Sequence, residues 1–172
     1  AVVEYLPDEE LTFDLRHLSD ATVTVPSGTR PDAPLQRLLD LEREGTEVRA
    51  FSHAFNERSL SLTAERARDD DLPFRGVFSR EAIEALASDD DLRRTLRDLL
   101  DAEDASVRVY DGDIPLAGTI VDGVVNLLVR DESGVLRAAI DTDDDVVLSW
   151  AEDTFTAYWE AATPFDRRDL WD

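Results

Sequence analysis

The sequence predicts a single α/β domain in which a mixed β-sheet is flanked by helices. Strand–helix repeats give way to an antiparallel meander, and a long C-terminal helix closes the chain. Three observations carry this prediction. Between residues 21 and 110, short β-branched runs alternate with apolar stripes at helical spacing, the signature of strand–helix repeats. Residues 116–140 hold three apolar runs joined by tight turns, which reads as a meander. Val147, Trp150, Ala151, Thr154, Phe155, Tyr158, Ala161 and Ala162 form one continuous helical stripe.

Each element follows from local signals. Residues 1–20 offer only a short apolar set, Tyr5, Leu6, Leu11, Phe13, Leu15 and Leu18. They read as a connector arriving from an upstream domain. The domain proper is expected over residues 21–165, and residues 166–172 form a tail that is exposed or packs through Leu170 and Trp171. Ala21–Val25 alternates and is β-branched, so it is a strand; a Pro, Gly, Ser and Asp loop follows to Pro34. Leu35, Leu38 and Leu39 mark a helix closed by Gly45. Glu47–Phe51 is the second strand, Asn56–Arg68 the next helix, and Pro73–Phe78 the third strand.

Ser79 is placed to cap a helix carrying Ile83 and Leu86, and Ser88 to cap the next. In that second helix Leu92, Leu96, Leu99 and Leu100 fall at i, i+4, i+7 and i+8. Val107–Tyr110 is the fourth strand. Leu116–Val121, Val124–Arg130 and Val135–Ile140 make the meander, with Asp122-Gly123 as a two-residue hairpin turn. Asp143, Asp144 and Asp145 are expected in the first turn of the last helix, where the helix dipole favours negative charge. Pro164 ends that helix.

Composition adds a second layer. All 18 basic residues are arginine, facing 40 carboxylates for a net charge of −22. A lysine-free acidic surface suits a protein living in molar salt, where repulsion is screened within about 3 Å at 1 M. A halophilic, archaeal, cytoplasmic protein is therefore expected. With 42% hydrophobic residues in periodic order, the chain is not a disordered acidic tail. No cysteine is present, which excludes disulfides and thiolate chemistry. No membrane association is expected. The charge also argues against direct contact with nucleic acid, because there is no basic stripe to meet phosphates.

Few constellations carry chemistry. His53 lies just past the second strand, at the carboxyl edge where open α/β sheets bind ligands. The expected pocket consists of His53, Phe55, Arg75, Phe78 and Asp111, which end or follow strands two, three and four. His17 is read as structural. Asp141, Asp143, Asp145, Ser149 and Glu152 imitate a calcium loop, but Val146 stands where glycine is needed for the turn. Asp111-Gly112-Asp113 is better explained as a turn than as a cation site. No metal and no cofactor is expected. There is no Gly-rich phosphate loop and no nucleophile elbow, so no catalytic residues are assigned.

The segments FSHAF at 51–55, FRGVFSREAIEAL at 74–86 and VRVYDGDIPLAGTIVDG at 107–123, then RAAIDTDD and WAEDTFTAYWEAATPF, occur in this order. Together they resemble the effector (middle) domain of archaeal winged-helix transcriptional regulators typed by the methanogenesis and filamentation regulator. The resemblance covers about residues 20–165 and implies a phospholipase-D-like fold. The enzymes of that fold use H-x-K-x₄-D; here Ala54 and Phe55 follow His53 and no lysine exists, so the resemblance implies a pocket without catalysis. It further implies a ligand-sensing, homodimerising domain with an unidentified small-molecule effector. DNA would be met only through an N-terminal winged helix absent from this chain. The alternatives are a ligand-free interaction module, or a hydrolase using His53 with nearby carboxylates.

Overall fold

One eight-stranded sheet organises the chain. The computed structural model describes residues 2–170, with side chains from residue 4 onward. In chain order the elements are β1 (Thr22–Thr24), α1 (Ala33–Glu44), β2 (Val48–Ser52), α2 (Glu57–Asp69), β3 (Phe74–Ser79), α3 (Arg80–Ala87) and α4 (Asp90–Leu100). Then come β4 (Ala105–Tyr110), β5 (Ala117–Val121), β6 (Val124–Arg130), β7 (Leu136–Thr142), α5 (Asp145–Ala161) and β8 (Thr163–Phe165). Across the sheet the order is β1-β7-β6-β5-β2-β3-β4-β8. β2, β3 and β4 are parallel, and every other pairing is antiparallel. The mixed α/β architecture predicted from the sequence is the one observed.

Strand alternation divides the core into two layers. Val48, Phe74, Phe78, Val107, Val109 and Val121 face α2, α3 and α4. Phe51, Val77, Ile120, Val125, Leu127 and Ile140 face α5 and the N-terminal segment. Helices α2, α3, α4 and α5 start on side-chain caps. Asn56 accepts from the amides of Arg58 and Ser59, Ser79 from Ala82, and Asp144 from Val146 and Val147. Each such cap is worth about 1 kcal/mol. The β5–β6 turn holds Asp122 at φ 51° and Gly123 at φ 94°, a backbone form that favours Asp-Gly. The Asp122 carboxylate also accepts from Thr46 and Glu47, tying this hairpin to the α1–β2 turn.

Four details differ from the sequence reading. The α4 cap is Asp89, which accepts from Asp91 and Leu92, while Ser88 closes α3. An acceptor one residue nearer the apolar stripe reaches the free amides better. Asp143 precedes α5, because Asp144 is its cap and Asp145 its first residue. Pro164 does more than end α5: it sits in β8, opposite Arg108 of β4. That place is open to proline because an outer edge strand has amides that need no partner. Finally, the residues read as a connector are docked along the domain. Leu6 and Leu11 are buried against the α5 layer, the Trp150 indole donates to the Glu10 carbonyl at 3.0 Å, and Phe13 meets Trp150 edge-on at 5.3 Å. In the tail Leu170 is buried, and Trp171 lies outside the described residues.

Candidate functional site

Parallel β2, β3 and β4 bring their carboxyl ends to one edge of the sheet, and the antiparallel run of β5 and β6 brings the start of β5 and the end of β6 to the same edge. After β2 the chain turns sharply, because the Ser52 hydroxyl both donates to the Ala54 carbonyl and accepts from the Ala54 amide. This turn presents His53 at the edge and directs Phe55 under α2. Phe55 stacks on Phe78 with ring centroids 4.1 Å apart.

The stacked rings line a cavity of about 60 Å³ between the sheet and α1–α2. By volume it has room for a few waters or a very small molecule. Its apolar lining includes Leu38, Leu60 and Leu128, and its polar lining includes Glu42, Ser59, Thr119 and Arg130. Glu42 is 3% exposed and accepts from the Ser59 hydroxyl at 2.8 and 2.9 Å. Burial raises its pKa to about 7, against the opposing pull of hydrogen bonds from Ser59 and Thr63. At neutral pH this side chain is therefore balanced between carboxylic acid and carboxylate.

Arg130, the last residue of β6, belongs to two spaces at once. It lines the interlayer cavity, and with His53, Pro115 and Tyr5 it lines an edge cleft of about 230 Å³. Its Nη1 is buried without a protein partner. Burial pulls its pKa below the ordinary arginine value, but a guanidinium stays charged in proteins. The cost of desolvating it is left uncompensated. His53 is pushed down first by burial and then by the Arg130 charge, while a hydrogen bond to the Ile114 backbone opposes both. Its Nδ1 is buried without a partner.

The five expected pocket residues do not share one space. Phe55 and Phe78 line the interlayer cavity. His53 and Asp111 line a separate edge cleft of about 380 Å³, where Asp111 is paired with Arg80 at 2.5 Å. Arg75 leaves the site altogether. It alternates with Phe74 along β3 and so faces α5, with its guanidinium 5.6 Å from the Phe155 ring and 5.9 Å from Trp159. Glu42 and Arg130 were not anticipated, yet both left a trace. Glu42 continues the buried Leu35–Leu38–Leu39 stripe, and Arg130 follows Asn126 and Leu128 on one face of an otherwise apolar strand. Two of the acidic positions that imitate a calcium loop are otherwise engaged: Asp141 holds Arg37 through two hydrogen bonds at 3.1 and 2.8 Å, and Glu152 accepts from Arg49 at 3.1 Å. Among the described residues no group of three or more His, Asp or Glu converges on a point where a metal ion would sit. No helix among them is long and apolar enough to cross a membrane.

The model of the middle domain of the methanogenesis regulatory protein FilR1 matches residues 31–161. The chain belongs to the FilR1 middle-domain family. It is thus a regulatory domain of the transcription-regulator type. No curated protein sequence matches it. Its fold is similar to TrmBL2, an archaeal chromatin protein whose structure shows a novel mode of DNA binding. The TM-score is 0.65 at 15% identity, over 84% of this chain and 54% of that one. The chain therefore spans about half the length of TrmBL2. It is also similar to the phospholipase D family member Nuc from Salmonella typhimurium, with TM-score 0.65 at 10% identity over 86% and 99% of the two chains. NucT from Helicobacter pylori gives 0.64 at 14% identity over 85% and 99%. At these identities the likeness establishes the phospholipase-D-like fold alone.

Proposed function

We propose that this FilR1 middle domain senses a small ligand and, as a homodimer, passes the bound state to a DNA-binding winged helix N-terminal to it. The observation that carries this reading is the interlayer cavity, which reaches the carboxyl edge through Arg130 and is lined by polar groups only partly satisfied within the protein. A ligand that binds one arrangement of α1–α2 better than another shifts the balance between them, and only that differential affinity drives a switch. The docked N-terminal segment supplies a route for the signal, since Glu10 and Phe13 rest on α5. For dimerisation, β1 offers an outer edge strand with exposed Val23 and Val25. The hydrolase alternative is less well supported, because His53 is held by a backbone carbonyl and no carboxylate is among the groups acting on it.

Thermal melting tests the cavity. Wild type and an Ala50→Leu variant, which fills the cavity from β2, are melted against a panel of very small organic acids, alcohols and amides. A ligand at 100 times its Kd stabilises by about 2.7 kcal/mol, or roughly 5–10 °C for a domain of this size. The expected result is such a shift in wild type and its loss in the folded variant. Equal shifts in both proteins would reject the cavity as the sensing site.

A further inference from the structure

We propose that His53 and Arg130 form a binding site for an oxyanion, the carboxylate or phosphate group of a small ligand. The argument starts from the charge inventory. In a chain with 40 carboxylates and 18 arginines, thirteen arginines hold a carboxylate within 4 Å. Arg130 has no ion-pair partner among the described residues, although Asp131 and Glu132 are its neighbours in sequence. Asp131 is already committed to Arg137 at 2.7 Å and to the amides of Ser133 and Val135, and Glu132 is exposed. A buried, unpartnered guanidinium nitrogen in so acidic a protein is a place kept for an anion from outside, since arginine suits the planar oxygens of carboxylate and phosphate.

His53 completes the pair. It lines the same cleft as Arg130, and its free Nδ1 is the second unpartnered polar atom there. The charged groups around it are Arg130 from β6, Asp131 and Glu132 from the β6–β7 turn, Asp111 and Asp113 after β4, and Arg80 and Glu81 at the start of α3. Asp111 is spent on Arg80, and Asp113, Glu81 and Glu132 are exposed. Of all these, only the Arg130 charge acts appreciably on the imidazole. The free protein therefore holds a neutral imidazole beside an unpaired cation. An oxyanion seated between them satisfies the guanidinium and favours the imidazolium, whose Nδ1–H then donates to it. Binding near neutral pH is thus coupled to uptake of one proton from solvent. The rest of the ligand points past Arg130 toward Phe55 and Phe78; that orientation rests on the ligand-sensing reading above.

The imidazole proton and carbon resonances of the full chain provide the test, because His17 and His53 are the two histidines present and His17 serves as an internal reference. His53 is titrated at constant ionic strength with inorganic phosphate in one series and acetate in another. The expected result is that at least one anion raises the His53 midpoint by about one unit, while His17 stays in place. A response to phosphate alone, to acetate alone or to both assigns the group recognised. Arg130→Gln should raise the midpoint of the ligand-free protein, by removing the opposing charge, and weaken the anion response at least about tenfold. Silence of His53 toward both anions, each up to about 50 mM and so far above a 1 mM Kd, overturns the proposal. So does an unchanged response in folded Arg130→Gln. A silent His53 alongside melting shifts by a neutral compound that Ala50→Leu abolishes would remove the anion site and leave the sensing cavity standing.

Discussion

Glu42 takes a carboxyl group into the space between α1 and α2, and its pKa near 7 makes the fold sensitive to pH. Its folded pKa lies above the unfolded value of about 4.5, so the folded state holds more protons between those two limits. Stability from this group is present at low pH and is lost as pH rises from about 4.5 to about 7. The full change is on the order of 3 kcal/mol. Glu42→Gln keeps an acceptor for the Ser59 hydroxyl and cannot ionise. It should change the melting temperature little at pH 5 and raise it at pH 8 by roughly 6–12 °C, the equivalent of that figure. Equal effects at both values would show that Glu42 is solvated when charged. His53 responds in the opposite direction. Its lowered pKa means that burial is tolerated by the neutral ring, so acidification below the ordinary histidine value of about 6.5 should cost stability. Of these two residues the sequence pointed to His53, a rare residue type placed at a strand end. Glu42 sits on an apolar helical stripe, where composition alone reads a carboxylate as the solvated side. Which carboxylates end up buried depends on how α1 packs on α2, a tertiary fact.

At the scale of elements, α5 and the docked N-terminal segment form one packing unit. Phe155 is 2% exposed, and its ring stacks on Trp159 while meeting the Arg49 and Arg75 guanidinium groups. Phe155→Ala should therefore cost about 3–5 kcal/mol in denaturant unfolding. Deleting residues 1–20 uncovers Trp150, so its fluorescence should shift to the red and the melting temperature should fall. An unchanged spectrum would mean the segment does not dock. In the sheet, Gly118 of β5 lies directly under the Phe51 ring, which a Cβ would strike. Gly118→Ala should destabilise by roughly 1–3 kcal/mol through that overlap. The long elements were legible because periodicity reports them well: α5, the β5–β6–β7 meander and the alternating half all lie where their apolar patterns placed them. Two features were not. β8 is three residues long and contains proline, so it exists only because the β4 edge is there to pair with. The N-terminal segment has no regular period; Leu6 and Leu11 dock by shape onto a helix 140 residues away. The candidate site was legible only in part. The carboxyl edge, His53 and the Phe55–Phe78 pair follow from strand ends, whereas Arg75 was drawn in by sequence proximity and removed by strand alternation.

The whole molecule carries its charge of −22 over a surface where most arginines are already matched to carboxylates, so the residual repulsion is spread among the remaining acids. Screening shortens its range from about 30 Å at 0.01 M salt to about 3 Å at 1 M. The melting temperature should rise as KCl goes from tens of millimolar to above 1 M, with most of the electrostatic gain complete by roughly 0.5 M. A flat dependence would make the acidic surface incidental and remove the reason to place the protein in a halophile. Dimerisation belongs to the same scale, because high salt also lets two acidic subunits approach. In about 2 M KCl, sedimentation should give twice the 19.3 kDa chain mass, and Val23→Arg on the β1 edge should shift it toward monomer. Sensing is the claim on which the rest of the functional account depends. Its most direct test is retention of ligand. Wild type and Ala50→Leu are mixed with a small-molecule cell extract, separated from unbound compounds and denatured, and what each releases is identified by mass spectrometry. The account predicts a compound released by wild type and reduced at least about tenfold, or 1.4 kcal/mol, in the filled-cavity variant. Release of the same compounds in equal amounts from both proteins, or of none from either, would contradict it.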